Sequence, residues 1–168
     1  MGTTLSAGSS FKWLRDTFYS NEHYDSLVNA ADSVSVGSEG LIFLPYLTGE
    51  RTPHNNPNAR GVFFGLHLGH EKGHLARAVM EGVCFALRDS LELMLDLNTP
   101  VKYVRTIGGG TRTPIWRQIQ ADVFNLPVVI NHLTMVSFEN SSSPKCQNCF
   151  SGLCSRPIDS ALFLNPEL

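Results

Sequence analysis

LARAVMEGVCFALRDSLELMLDL, residues 75–97, carries the strongest periodic pattern in the chain. Its small and apolar residues recur three and four positions apart, which places them along one face of a helix of about seven turns. These residues are Leu75, Ala78, Val79, Gly82, Val83, Ala86, Ser90, Leu93, Met94 and Leu97. A helix with a continuous apolar face has to pack along a sheet or another helix.

Two short helices are predicted upstream of the long one. Apolar residues follow helical spacing from Phe11 to Phe18, and Ser9 or Ser10 is placed to cap this helix after a turn. The second helix is predicted at about residues 24–31.

Short strands are predicted on both sides of the long helix, at residues 41–47, 62–64, 101–107 and 126–130. The unbroken apolar run 41–47 is typical of a strand buried on both faces, and Pro45 indicates a sheet edge or a strand end. A Pro- and Asn-rich loop fills 48–61, and a helix is predicted at 113–124. Because strands and helices alternate, the sequence predicts an α/β fold.

The length and composition indicate one globular domain. The chain has 168 residues and a mass of 18.5 kDa, enough for about one hydrophobic core. Hydrophobic residues at 42% and charged residues at 17% exclude wholesale disorder, collagen and a long coiled coil. Residues 1–131 are predicted to form this domain. Residues 132–168 show no sustained period and are predicted to be a divergent, poorly structured tail.

The charge pattern excludes nucleic acid as the main partner. Thirteen Lys and Arg against fifteen Asp and Glu give a net charge of -2, without a basic block. No apolar run approaches the ~18 residues that span a bilayer, so no membrane partner is expected. The first twenty residues lack the pattern of a signal peptide, which favours a cytoplasmic location.

A predicted strand, a triple glycine and a predicted helix follow one another between Tyr103 and Asp122. Glycines allow the backbone to approach a ligand closely, and a helix N-terminus offers free N–H groups to an anion. Gly108–Gly110 matches neither a Walker loop nor GxGxxG. From the pattern alone, a nucleotide site and a tight packing turn both stay open.

The HExxH pattern at His70-Glu71-Lys72-Gly73-His74 is interpreted as a chance match to zinc peptidases. Gly73 lies at a predicted helix start, and no third ligand follows at the usual spacing. Three thiols in the tail have a spacing that zinc accepts, but free thiols are the favoured interpretation because a paired ligand set is missing. These thiols are Cys146, Cys149 and Cys154. No metal ligand is assigned.

Two further side chains are given structural interpretations. Cys84 lies within the apolar helical pattern and is predicted to fill the core. Glu50 beside Arg51 could line a cleft, but a local surface ion pair is the commoner outcome for such neighbours.

Four segments together resemble the C-terminal domain of the FGGY carbohydrate kinases, and within that family the xylulokinases. The most specific is Gly61-Val-Phe-Phe-Gly65-Leu66 with His74-Leu-Ala-Arg-Ala-Val-Met-Glu81, which fits a family signature at its constrained positions. The others are Leu44–Gly61, similar to the xylulokinase loop, Gly108–Asp122, similar to the adenosine motif, and Ser6–Asp16, similar to the nucleotide-side helix. The resemblance extends to about Ile130.

The resemblance implies an incomplete actin-like ATPase domain of ribonuclease H-like fold, the C-terminal half of an FGGY sugar kinase. Such domains close in pairs on ATP, Mg²⁺ and a sugar. By resemblance, the residues that border the nucleotide are Gly8, Lys12, Gly109, Gly110, Thr111 and Pro114. The residue-level alternative for Lys12 is a solvated helix face. The implied reaction converts D-xylulose, or a related ketose, and ATP to D-xylulose 5-phosphate and ADP.

Departures from the family pattern indicate a fragment. The domain that supplies the sugar site and the catalytic Asp is absent, so no catalytic residue is assigned, and Mg²⁺ would be held mainly by that domain. The family's Glu-Gly-Pro turn is missing from 133–168, which suggests a truncated reading frame with a tail translated out of phase and leaves a real divergent extension open. We expect the chain to be inactive alone and leave a homodimer open. The alternative is a non-catalytic nucleotide-binding or structural module with a zinc-binding Cys tail.

Overall fold

The computed structural model describes residues 4–130 and the backbone of 135–136. Its helices are α1 (Ala7–Phe18), α2 (Tyr24–Asp32), α3 (Lys72–Asp96) and α4 (Pro114–Phe124). Its strands are β1 (Ile42–Leu44), β2 (Val62–Phe64), β3 (Val104–Arg105), β4 (Val128–Val129) and β5 (Met135–Val136). Short 3-10 turns occupy Ser38–Gly40 and Gly109–Arg112.

The described strands form two small sheets. Strand β1 pairs with β2 in antiparallel register, with Phe43 opposite Phe63. Strand β4 lies between β3, which is parallel to it, and β5, which is antiparallel. The second sheet therefore begins with the parallel β–α–β connection that the glycine turn and α4 provide.

Helix α3 has neighbouring helices and a strand along its apolar face, as its periodicity predicts. It packs against α1, α2, α4 and β1. Its inward face is fully buried, and the buried residues include Ala76, Ala78, Val79, Met80 and Val83. Towards its C-terminus the same face is exposed, with Leu93 43% and Leu97 79% accessible. The predicted apolar face is thus covered over its first two-thirds only.

Two glycines on α3 let neighbouring backbone come unusually close. A Cβ at Gly82 would overlap the carbonyl oxygen of Phe43 in β1. A Cβ at Gly73 would lie 2.5 Å from the carbonyl oxygen of Ala30 in α2. Real Cβ atoms do not approach backbone oxygen so closely, so both contacts depend on the absence of a side chain.

A buried ion pair fixes the segment between α2 and β1 to α3. The Nε of Arg77 donates to Oε1 of Glu81 at 2.7 Å, and both side chains are buried. Arg77 also donates to the carbonyl oxygen of Val34 at 2.9 Å, and Glu81 accepts the N–H of Gly37 at 3.2 Å. These bonds satisfy groups that burial would otherwise leave without partners. Within the described chain, no helix is long and apolar enough to cross a bilayer.

The start of α1 differs from the prediction. The helix begins at Ala7 with Ser6 as its N-cap, so Ser9 and Ser10 lie inside it and neither caps it. Ser10 is buried, and its hydroxyl donates to the carbonyl oxygen of Ser6 one turn earlier. Helix α2 is confirmed and extends one residue further, to Asp32.

The strands are shorter than the apolar runs that predict them. The run 41–47 forms a strand only at Ile42–Leu44, since Pro45 cannot donate to a ladder. Ile42 is 37% exposed, so the prediction of burial on both faces is wrong for this strand. The runs 101–107 and 126–130 are reduced to two residues each in β3 and β4. The prediction for 62–64 is confirmed, and β5 lies beyond the last predicted element.

The contact at Gly82 generates a stability prediction. Gly82→Ala should destabilise the domain by about 2–3 kcal/mol, because the new methyl group overlaps the Phe43 carbonyl and β1 must move away from α3. The control is Gly8→Ala in α1, where a Cβ meets nothing within 4 Å. This change should be neutral or stabilise by up to about 1 kcal/mol. Urea unfolding followed by circular dichroism measures both. Equal effects of the two changes would contradict the close-approach argument.

Candidate functional site

The glycine turn before α4 combines an unusual backbone conformation with open space. Gly108 has φ 102° and ψ -167°, a region that favours glycine. A Cβ at Gly109 would meet no heavy atom within 4 Å. A Cβ at Gly110 would lie 3.3 Å from the ring of Trp116. The turn therefore has a packed side at Gly110 and an open side at Gly109.

Helix α4 begins directly after this turn, at Pro114. Proline suits the first helical position because its missing N–H would have no partner there. Thr113, the N-cap residue, makes no side-chain capping hydrogen bond. The first N–H groups of α4 are therefore not capped by that side chain, and they follow Gly109 by only a few residues in the chain.

Trp116 joins three helices behind the glycine turn. Its ring meets that of Phe11 in α1 edge to face, with 5.3 Å between centroids. Its side chain also belongs to the same buried cluster as Cys84 in α3. Cys84 is completely buried, which confirms its predicted place in the core, and burial raises the pKa of its thiol. This junction fixes the position of α1 relative to the glycine turn.

The predicted nucleotide residues lie on the two elements that Trp116 connects. Gly8 and Lys12 are on the exposed side of α1, and Lys12 forms an i, i+4 ion pair with Asp16. Gly109 and Gly110 are in the turn. Thr111 is in the same 3-10 segment and Pro114 is the first residue of α4. The Phe11–Trp116 contact joins the two elements, and the role of these residues in binding stays a prediction.

The Pro-rich loop after β1 is folded around a buried carboxylate. Glu50 is 2% exposed, and its Oε1 accepts the N–H groups of Arg51 at 2.8 Å and Thr52 at 3.1 Å. Its Oε2 is buried without a hydrogen-bond partner in the described chain. The predicted surface ion pair between Glu50 and Arg51 is therefore wrong. The carboxylate turns inward because the backbone amides of the loop satisfy one of its oxygens.

Near this loop lies a half-buried carboxylate on α3, that of Asp89. Burial raises the pKa of Asp89, and the nearby carboxylates of Glu92 and Glu50 raise it further, while His54 and Arg88 lower it. Tyr46 lies in the same region, and burial raises the pKa of its hydroxyl to about 12. Its ring meets that of His54 edge to face at 5.9 Å. No spacing or motif in the chain indicated that Asp89 belongs to this group.

The HExxH segment has a structural role at the start of α3. Glu71 is the N-cap residue, and Nδ1 of His74 accepts the N–H of Glu71 at 3.0 Å. The two residues form a capping box, which agrees with the interpretation of the pattern as a chance match. The tail thiols at 146, 149 and 154 lie outside the described residues.

A different group of metal-binding residue types was missed by sequence reasoning. Glu39, His67 and His70 each place one ligand atom within 4.8 Å of the others. The spacing His67-x-x-His70 was the available signal, but Glu39 comes from a separate turn that only the fold brings near.

A surface cavity of about 270 Å³ lies between the C-terminal turns of α3 and the end of α4. Its lining is Arg88, Leu91, Glu92, Leu95, Phe124, Asn125 and Leu126, and it includes no residue of the glycine turn. The open face at Gly109 is thus separate from this cavity.

Residues 1–134 match the family described as FGGY family of carbohydrate kinases, C-terminal domain. The chain is 44% identical over 128 residues to the xylulose kinase of Staphylococcus epidermidis, covering 76% of this chain and 26% of that protein. It is 38% identical over 156 residues to the gluconokinase of Bacillus subtilis, covering 86% of this chain and 30% of that protein.

The fold is similar to a solved structure of ligand-bound xylulose kinase from Lactobacillus acidophilus. The TM-score is 0.72 at 38% identity, covering 76% of this chain and 26% of the other. The chain therefore spans between 26% and 30% of the length of these three relatives.

The raised pKa of Asp89 generates a pH prediction. Between the ordinary value of 3.8 and its higher value in the fold, Asp89 binds more protons folded than unfolded. Its contribution to stability is therefore lost as pH rises through that window. Asp89→Asn should raise Tm at pH 7, and this gain should shrink as the pH falls towards 4.

The matched control for this prediction is Asp96→Asn, at an exposed position on the same helix. It should change Tm less than Asp89→Asn does, with a weaker dependence on pH. Thermal unfolding at several pH values measures both variants. A Tm gain for Asp89→Asn that stays constant from pH 7 to pH 4 would refute the burial argument.

Proposed function

The chain belongs to the FGGY family of carbohydrate kinases, and we propose that it is the adenosine-binding part of a xylulokinase-like enzyme. Its fold class, predicted as an actin-like α/β domain, is confirmed by the likeness to solved sugar kinases. The proposed reaction of the whole enzyme transfers the γ-phosphoryl group of ATP to a hydroxyl of D-xylulose. The products are D-xylulose 5-phosphate and ADP.

The observation that carries the proposal is the open glycine turn at the uncapped start of α4. Gly109 leaves room for a ligand against the backbone, because no heavy atom lies within 4 Å of a Cβ placed there. The N-terminus of α4 follows within a few residues and carries the positive end of the helix dipole. An adenosine with its α-phosphate fits this combination of space and partial charge.

Residues on two elements would hold the nucleotide. Gly109, Gly110 and Thr111 would lie along the adenosine and the α-phosphate, with Pro114 beside the base. Gly8 and Lys12 would border the nucleotide from α1. Lys12 is exposed, and its partner Asp16 is on the same helix face, so its ammonium group can turn towards a phosphate without desolvation of a buried pair.

The remaining chemistry is proposed for residues outside this chain. Phosphoryl transfer needs a base near the accepting hydroxyl and Mg²⁺ to neutralise charge on the phosphates. We propose that the other three-quarters of the enzyme supply the catalytic Asp, most of the Mg²⁺ site and the sugar pocket. The use of ATP favours the cytoplasm, and a homodimer stays a prediction.

The sugar is the least constrained part of the proposal. Relatives of similar identity include a xylulose kinase and a gluconokinase. D-Xylulose is preferred here because the xylulose kinase identity of 44% exceeds the gluconokinase identity of 38%. D-Gluconate is the second candidate.

Nucleotide binding is tested with a substitution that fills the open face. Gly109→Trp should weaken ADP binding at least tenfold, because the indole would occupy the space proposed for the adenosine, and its Cβ meets no heavy atom within 4 Å. The control is Ser35→Trp, at an exposed position after α2, which should bind ADP as the parent chain does. Isothermal titration measures both affinities. Equal affinities of parent and Gly109→Trp would remove the glycine turn from the site.

The division of labour is tested with a kinase assay on the chain alone. With ATP and Mg²⁺, we expect no phosphorylation of D-xylulose or D-gluconate above the rate without protein. ADP release coupled to a second enzyme gives the measurement. Turnover of either sugar would show that this chain contains the catalytic machinery, and the active sugar would decide between the two candidates.

A further inference from the structure

Two imidazoles and a carboxylate meet on the surface beside the start of α3, in a region that the proposed nucleotide site does not use. Glu39 belongs to the Ser38–Gly40 turn, and His67 and His70 belong to the turn between β2 and α3. One ligand atom of each lies within 4.8 Å of the other two. The His67 and His70 rings are tilted by 33° to each other, with 3.7 Å between centroids. We propose that Glu39, His67 and His70 bind a zinc-class divalent transition-metal ion.

The backbone holds the two turns together at this point. Gly40 has φ 89° and Gly65 has φ 85°, both in the region that favours glycine. A Cβ at Gly65 would lie 2.7 Å from the carbonyl oxygen of Gly40, so the two turns touch through backbone atoms. Because Glu39 and His67 lie one and two positions from these glycines, their side chains start from fixed, neighbouring positions. The cluster is therefore built by the fold and does not depend on chance rotamers alone.

The donor set suits zinc and its neighbours in the first transition series. Two imidazole nitrogens and one carboxylate oxygen form a set that binds Zn²⁺ with water completing the coordination. Hard cations such as Mg²⁺ prefer oxygen ligands and are disfavoured by two imidazoles. A contraction of the ligand atoms from 4.8 Å is needed, and Glu39 and His67 are exposed enough to allow it.

The ring nitrogens available to a metal follow from the hydrogen bonds. Nδ1 of His67 accepts the N–H of Gly69 at 3.0 Å, and Nδ1 of His70 accepts the N–H of His67 at 3.1 Å. This leaves the Nε2 atoms, and Nε2 of His70 is buried without a hydrogen-bond partner in the described chain. Metal binding at Nε2 leaves the proton on Nδ1, so these backbone N–H groups must turn to water. Both lie in an exposed turn where that exchange costs little.

Two residues beside the cluster, His74 and Glu71, favour the binding of a metal cation there. Nε2 of His74 lies 3.5 Å from Oε2 of Glu39 and can hold that carboxylate in place. Glu71, which follows His70 in the chain, is exposed and adds negative charge near the cluster.

Zinc titration of the full chain tests the proposal. We expect one zinc site that His67→Gln and His70→Gln each weaken at least tenfold, while His23→Gln, at an exposed position on the loop before α2, binds as the parent does. Zn²⁺ should also raise the Tm of the parent chain and of His23→Gln, but not that of His67→Gln. The tail thiols are separated by a variant with Cys146, Cys149 and Cys154 changed to Ser, which should keep the site.

Two results of these titrations would contradict a metal site at these residues. Zinc affinity unchanged in both His67→Gln and His70→Gln would overturn the proposal, as would loss of all zinc binding in the triple Ser variant. The metal-free Tm of each variant reports whether its fold is intact. Glu39→Gln, at an exposed side chain, should also weaken zinc binding, and this change does not alter the turn that contains His67 and His70. ADP affinity measured beside these titrations should not change, so failure here leaves the nucleotide proposal intact.

Discussion

The contact between α3 and the backbone of its neighbours is the constraint on which the rest of the structure depends. Gly82 leaves space for the carbonyl of Phe43, and Gly73 leaves space for the carbonyl of Ala30. Because neither glycine has a side chain, the backbones of β1 and α2 pack directly against α3. The buried Arg77–Glu81 pair then satisfies the polar groups that this close packing encloses. Apolar burial and hydrogen bonding therefore support the same arrangement.

The two ends of α3 have different environments, and the candidate sites follow from that difference. Its first turns are buried, so the loops that pack against them are held in position. This brings Glu39 close to the turn between β2 and α3 that contains His67 and His70. Its middle carries Cys84 to Trp116, and this places α1 beside the glycine turn. Its last turns expose Leu93 and Leu97. Both candidate sites thus lie where loops are held by the buried part of the helix.

The segment from His67 to His74 combines a structural role with a proposed chemical role. Glu71 and His74, which complete the HExxH pattern, cap α3, and the metal-binding residue types next to them are His67 and His70. Of the HExxH pattern, the proposed metal cluster therefore uses only His70. The fold makes this distinction, because Glu39 reaches His67 and His70 from a separate turn, whereas Glu71 and His74 form the capping box.

The sequence by itself determined the elements and the family, because periodicity and long motifs are local properties of the chain. The face of α3, the extent of α2, the strand at Val62–Phe64 and the glycine turn before α4 all follow from spacing and composition. Strand lengths did not, because pairing needs a partner on a neighbouring strand, and Pro45 limits the ladder at β1. The inward turn of Glu50, the Phe11–Trp116 junction and the meeting of Glu39 with His67 were decided only by the tertiary structure. The last two join residues that are far apart along the chain, so only packing brings them into contact, and Glu50 turns inward because the folded loop supplies two backbone N–H groups to its carboxylate.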